Sequence, residues 1–119
     1  MSNIYVTSGD DYLATRRLSV TVTGSDGATV DLTGAALTFD VRRRSIDEAA
    51  LISKTVGDGI EIASPQTGDT KGVAYIELAA ADTDDLKGRY RWELEGVDAI
   101  GHATLARGGF YVTGDQVHP

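Results

Sequence analysis

His102 and His118 are the only histidines in this 119-residue chain. They are therefore the only side chains whose ordinary pKa suits proton transfer near neutral pH. A hydrolytic base of that kind needs a nucleophile and an orienting acid in contact with it. His102 falls in DAIGH, which reads as a hairpin turn, and His118 is the penultimate residue. Neither is flanked by a nucleophile motif such as G-x-S-x-G. No catalytic residue is assigned, and the chain is expected not to be an enzyme. Asp82, Asp84 and Asp85 form the densest acidic group and offer oxygens that calcium takes. The surrounding ADTDDLKG lacks the glycine and the terminal bidentate glutamate of the twelve-residue calcium loop. Helix capping explains the same carboxylates. GDD at 9–11 likewise reads as a strand-entry turn. With no cysteine in the sequence, disulfides, thiolate zinc sites and cysteine nucleophiles are excluded. No metal and no cofactor is expected.

Arg42, Arg43 and Arg44 make the one basic run. Strand alternation puts Arg42 and Arg44 on one face and Arg43 on the other, so the run is no uniform basic stripe. Ile46, Asp47 and Glu48 follow, and suggest a loop in which the arginines meet solvent or acids of the same or another subunit. Eleven basic against eighteen acidic side chains leave a formal charge of −7. Nucleic-acid binding draws on phosphate neutralisation and is not expected from that balance. The single RGG at 107–109 lies inside an apparent strand and is no RNA-binding tail. GDGI and GSDG lack the helix that should follow a phosphate-cradling loop. Trp92, between Tyr90 and Leu94, reads as a core anchor. A sugar platform would need exposed aromatics, and Tyr5, Tyr12 and Tyr111 are the candidates.

The elements that must position these residues are short strands. Fourteen glycines and two prolines accompany many valines, threonines and isoleucines. In LSVTVT (18–23), Leu18, Val20 and Val22 share one face. In ALTFDVRRR (36–44), Leu37, Phe39 and Val41 point inward, with Thr38, Asp40 and Arg42 outward. LISKTV (51–56) and IEIA (60–63) are shorter strands about a GDG turn, and SPQTGDTKG (64–72) is a polar rim loop. VAYIEL (73–78) alternates in a way that suits cover on both sides. AAADTDDLKG breaks the two-residue period: Asp82 and Thr83 suit a helix start and Gly88 an exit, so one helical turn is expected. RYRWELEGV (89–97) returns to alternation, with Tyr90, Trp92 and Leu94 inward and Arg89, Arg91, Glu93 and Glu95 outward. ATLARGGFYVTG is the last long strand, where Gly108 and Gly109 should mark a bulge or a close backbone approach. Between these, Val30 and Leu32 should enter the core at a corner whose Asp31 and Thr33 bond to nearby backbone.

About eight strands with frequent turns and one short helical turn indicate an all-β domain, an antiparallel Ig-like β-sandwich. The expected division is an N-terminal arm at 1–8, the sandwich at 9–115 and a tail at 116–119. Ile4, Tyr5 and Val6 lack a clear hairpin partner and are candidates for pairing with a neighbouring subunit, as Arg42 and Arg44 are for an interface. MSNIYVTSGDDYL has no secretory pattern and no apolar run approaches the roughly twenty residues of a membrane helix, so no membrane association is expected. No repeat or heptad is present.

GDDY (9–12), GSDG (24–27), VDLTGA (30–35), VRR (41–43), DGIEI (58–62), GVAYIEL (72–78), AADTDDL (80–86), KGRYRWEL (87–94) and G-x-x-T-L-x-x-G (101–108) follow one another in an order that resembles a phage family. It is that of small β-sandwich proteins of tailed bacteriophages, similar to the N-terminal domain of the baseplate upper protein. The resemblance covers roughly residues 8–115. It implies a non-enzymatic virion structural module of the tail or baseplate, or a capsid decoration protein. Its partners would be other virion proteins, with many copies or a homo-oligomer on a symmetric assembly. Synthesis would be in the host cytoplasm and final location in the virion. Because the sequence ends just after the last strand, a free-standing module on a capsid, neck or tail competes with a baseplate adaptor. The alternative is a carbohydrate- or receptor-binding module of the particle.

Overall fold

The computed structural model describes residues 3–13, 17–24, 26–43, 49–98 and 101–113, with the backbone alone at 97, 98, 101 and 102. The chain is all-β. Its strands are β1 (Ile4–Thr7), β2 (Leu18–Thr21), β3 (Ala36–Arg42), β4 (Ile52–Val56), β5 (Gly59–Ile62), β6 (Val73–Ile76), β7 (Gly88–Asp98) and β8 (Gly101–Thr113). The described residues also hold a single turn of helix, α1 (Ala80–Thr83), and a 3-10 turn at Gly68–Thr70. The eight strands are joined in one hydrogen-bonded sheet, in the order β1-β8-β7-β3-β4-β5-β6-β2.

Alternation is what closes this sheet. Leu37, Phe39 and Val41 of β3, Tyr90, Trp92 and Leu94 of β7, and Phe110 and Val112 of β8 all enter one buried cluster. So do Ile4 and Val6, Val20, Ile52, Ile60, and Ala74 and Ile76, so every strand contributes to the same core. A sheet whose strands all feed one cluster must wrap around it. Accordingly, Thr21 and Thr23 at one end of the strand order line a cleft with Thr104, Leu105, Ala106 and Arg107 of β8. Trp92 is 1% exposed and stacks on Phe39 at 5.8 Å between ring centroids, while Phe110 meets Phe39 edge-on.

Several expectations are corrected. Not every pairing is antiparallel: β1 runs parallel to β8, from Ile4↔Phe110 to Thr7↔Thr113. The first and last strands can do this because the rest of the chain serves as their crossover. Residues 4–7 are thus a strand of this chain's own sheet, with Ile4 and Val6 in its core. Asp40, expected outward, is buried at 7% exposure because Ser53 Oγ donates to it at 2.7 Å and Arg42 Nη2 at 3.2 Å. Val30 is exposed, and Leu32 alone of that pair is buried. The register slip between β7 and β8 falls at Leu94/Glu95, opposite Leu105, not at the glycine pair. His102 lies within β8 opposite Val97, rather than in a turn.

The polar loop after β5 hides an organising residue. Gln66 is 8% exposed. Its Oε1 accepts the Leu32 and Gly72 N–H groups at 2.9 and 3.0 Å. Its Nε2 donates to the Ala63 carbonyl at 2.7 Å, with the Thr70 and Val73 carbonyls at 3.2 and 3.3 Å. One side chain thereby supplies the missing ladder partners where three segments converge.

Candidate functional site

The outward positions of β7 and β8 gather several aromatic and cationic side chains together. On β7 the outer row reads Arg89, Arg91, Glu93, Glu95, set by the same alternation that buries Tyr90, Trp92 and Leu94. Register places Tyr111 opposite Arg89, Gly109 opposite Arg91 and Arg107 opposite Glu93. Tyr5 of β1 lies beside Tyr111. Its ring is stacked on that of Tyr111 at 5.0 Å and 16°, and Tyr5 is 67% exposed.

An open groove of about 480 Å³ runs between these rows, lined by Arg43, Arg89, Arg91, Arg107 and Tyr111. Its floor includes Gly108 and Gly109. A β-carbon at Gly109 would meet the Tyr111 ring at 2.7–2.9 Å, so the glycine lets Tyr111 fold back along its own strand. This is the close approach that the glycine pair announced. The Gly109 N–H donates to Asn3 Oδ1 at 3.2 Å, fastening the groove to the start of β1.

Electrostatically the face is divided. None of the ion pairs among the described residues uses Arg43, Arg89, Arg107, Glu93 or Glu95; those pairs are Arg17–Glu61, Arg42–Asp40 and Lys54–Asp82. Like charges also stand directly opposite across the ladder, Arg42 with Arg91 and Asp40 with Glu93. Such pairs weaken a sheet, while across the β7–β8 ladder Glu93 faces the opposite charge of Arg107. One end of the β7 face is cationic and the other anionic. Guanidinium groups offer planar, bidentate donors to carboxylates or phosphates, and the tyrosine pair offers a flat apolar rest beside them. The chemistry available is binding.

The other residues singled out in the sequence go elsewhere. Arg42 is half-buried against Asp40, while Arg43 is exposed and stands 5.6 Å over the Tyr90 ring. Arg44 and His118 lie outside the described residues, as does the side chain of His102. Asp82 sits in the third helical position, not at the cap: its carboxylate accepts the Ala79 N–H at 2.8 Å and meets Lys54 Nζ at 2.9 Å. Asp11, from GDD, accepts the Ala80 N–H at 2.7 Å, so the helix start is capped from a distant turn. Among the described residues no group of acids or histidines is placed to hold a metal ion. Tyr12, offered as a sugar platform, instead accepts the Thr7 N–H with its hydroxyl at 2.7 Å. Arg89 and Arg107 were visible only as parts of alternating strands; β7–β8 register is what assembles them with Arg43.

No protein-family model matches the chain, and no curated protein matches it either.

Proposed function

We propose that this protein is a non-enzymatic structural module of a bacteriophage particle, an Ig-like sandwich seated on other virion proteins through the outer face of β7 and β8. One observation carries the docking part of this reading. An acidic chain brings four arginines to the lining of one open groove, beside a stacked tyrosine pair whose Tyr5 is exposed. Tyrosine and arginine are the residue types that anchor protein interfaces. The phage part rests on the ordered motifs from GDDY to G-x-x-T-L-x-x-G. Many copies on a symmetric shell need only modest contact each, because linkage through the assembly multiplies weak binding. The proposed localisation is the virion, whether tail, baseplate or capsid surface.

Mass spectrometry and cryo-electron microscopy of purified particles test this reading. The expected result is the protein present in stoichiometric copies on the particle surface, and its absence from intact particles contradicts it. The tyrosine pair beside guanidinium groups also favours a second reading, recognition of an acidic sugar. A glycan array with the purified protein decides that: retention of uronate or sialylated glycans supports it, and an empty array at high micromolar protein removes it.

A further inference from the structure

The outer row of β7, Arg89, Arg91, Glu93, Glu95, carries two positive charges followed by two negative ones at even spacing. Alternate residues of a strand are about 7 Å apart, so the four charges span about 20 Å. Reversed end for end, this row is complementary to itself. We propose that the face docks onto a second copy of this chain across a two-fold axis, with the two β7 strands antiparallel and facing one another. The proposal rests on the reading of this face as a docking surface and names its first occupant.

The geometry is specific. Let the axis lie in the plane of contact, across the strands and midway between the levels of Arg91 and Glu93. Rotation then sets Arg89 against the partner's Glu95 and Arg91 against the partner's Glu93, and each pair recurs by symmetry. Strand β8 faces β8 of the partner subunit in the same operation. Because Arg107 pairs in register with Glu93 and Gly109 with Arg91, Arg107 is carried over the partner's Gly109. There the Tyr111 ring lies folded back over the glycine, so it is this ring that the arriving guanidinium meets.

Three features of this face favour a copy of this chain as the occupant. Glu93, Glu95, Arg89 and Arg107 take part in no ion pair among the described residues. The like-charge neighbours Arg42/Arg91 and Asp40/Glu93 across the β3–β7 ladder are a cost that an opposed, inverted face offsets. An all-acidic or all-basic partner would match one end of the row and repel the other, whereas an inverted copy matches both. The matched patch is roughly 15 by 20 Å per copy from strand spacing and rise. That is well under the roughly 800 Å² per partner of a standard interface. The dimer is therefore weak, held largely by charge, and sensitive to salt.

Two charge-uniform variants test this, R89E/R91E and E93R/E95R. All four positions belong to the outward row, so both variants should keep the wild-type far-ultraviolet spectrum and a cooperative melting transition. In sedimentation velocity at high micromolar protein, the wild type is expected to form a dimer in about 0.01 M salt. It should lose it, at least about tenfold in affinity, in about 1 M salt, as the screening length falls from about 30 Å to about 3 Å. Each variant alone should be monomeric. An equimolar mixture of the two should form a heterodimer. A monomeric wild type, a mixture that stays monomeric, a dimer that survives in either variant alone, or an open series of oligomers in place of a dimer would each overturn the proposal. None of those outcomes bears on whether the protein is found in particles, so the two readings fail separately.

Discussion

Gln66 and Asp31 show how single polar side chains carry this fold. Gln66 feeds buried backbone groups from three segments at once. Gln66→Ala leaves two buried N–H groups without acceptors, at about 1–3 kcal/mol each. The expected result is a loss of about 2–5 kcal/mol in urea unfolding; a change below about 0.5 kcal/mol would show that the loop rearranges around the loss. Asp31 works at the surface. Its carboxylate accepts from the Thr33 hydroxyl at 2.6 Å and the Thr33 N–H at 2.9 Å. The hydroxyl first, then the N–H, hold its pKa below the ordinary value, with a further small pull from Lys71. A carboxylate whose folded pKa is depressed stabilises the fold above its unfolded pKa, and that contribution is lost as pH falls through the folded pKa. Asp31→Ala should therefore be less stable than wild type at neutral pH, with the gap closing in strongly acid solution. Thermal melts across that range check it, and a gap that is constant with pH would contradict it.

At the scale of elements, pattern determined what was legible and long-range bonding determined what was not. The inward rows of β3 and β7, the helical turn and the Asp31–Thr33 corner could all be read from the sequence. Each depends on residues two or three positions apart, within the reach of alternation and turn chemistry. Gln66 could not, because its partners Leu32 and Val73 are brought near by the fold alone. The same holds for Asp11, which caps Ala80 across 69 positions. Residues 4–7 looked partnerless because parallel pairing with the last strand leaves no hairpin signal. Their remaining edge is partly closed by the chain itself. The Thr7 N–H donates to the Tyr12 hydroxyl, and the Thr7 carbonyl accepts the Asp10 N–H at 3.2 Å. Blocking an edge in this way guards against uncontrolled strand addition. Tyr12→Phe should release the Thr7 N–H, cost about 1 kcal/mol and speed amide exchange at Thr7. Unchanged exchange there would mean that the edge is protected by something other than Tyr12.

At the scale of the molecule, one core and one divided face account for the chain. The aromatic cluster of Phe39, Trp92 and Phe110 binds the sheet's strands together. Their outer neighbours on β7 and β8 carry arginines, glutamates and the Tyr5–Tyr111 stack to the surface. Burial and display alternate along the same strands, so folding and docking are specified by interleaved residues that can be changed independently. Trp92→Ala should cost about 3–5 kcal/mol, while R89E, at an exposed position, should leave the melting transition within about 0.5 kcal/mol of wild type. The most direct measurement is the copy number of R89E/R91E protein in particles assembled in its presence, compared with wild type by quantitative mass spectrometry. The expected result is a folded variant strongly depleted from the particles. Incorporation at the wild-type level would show that the β7–β8 face is not where this protein docks.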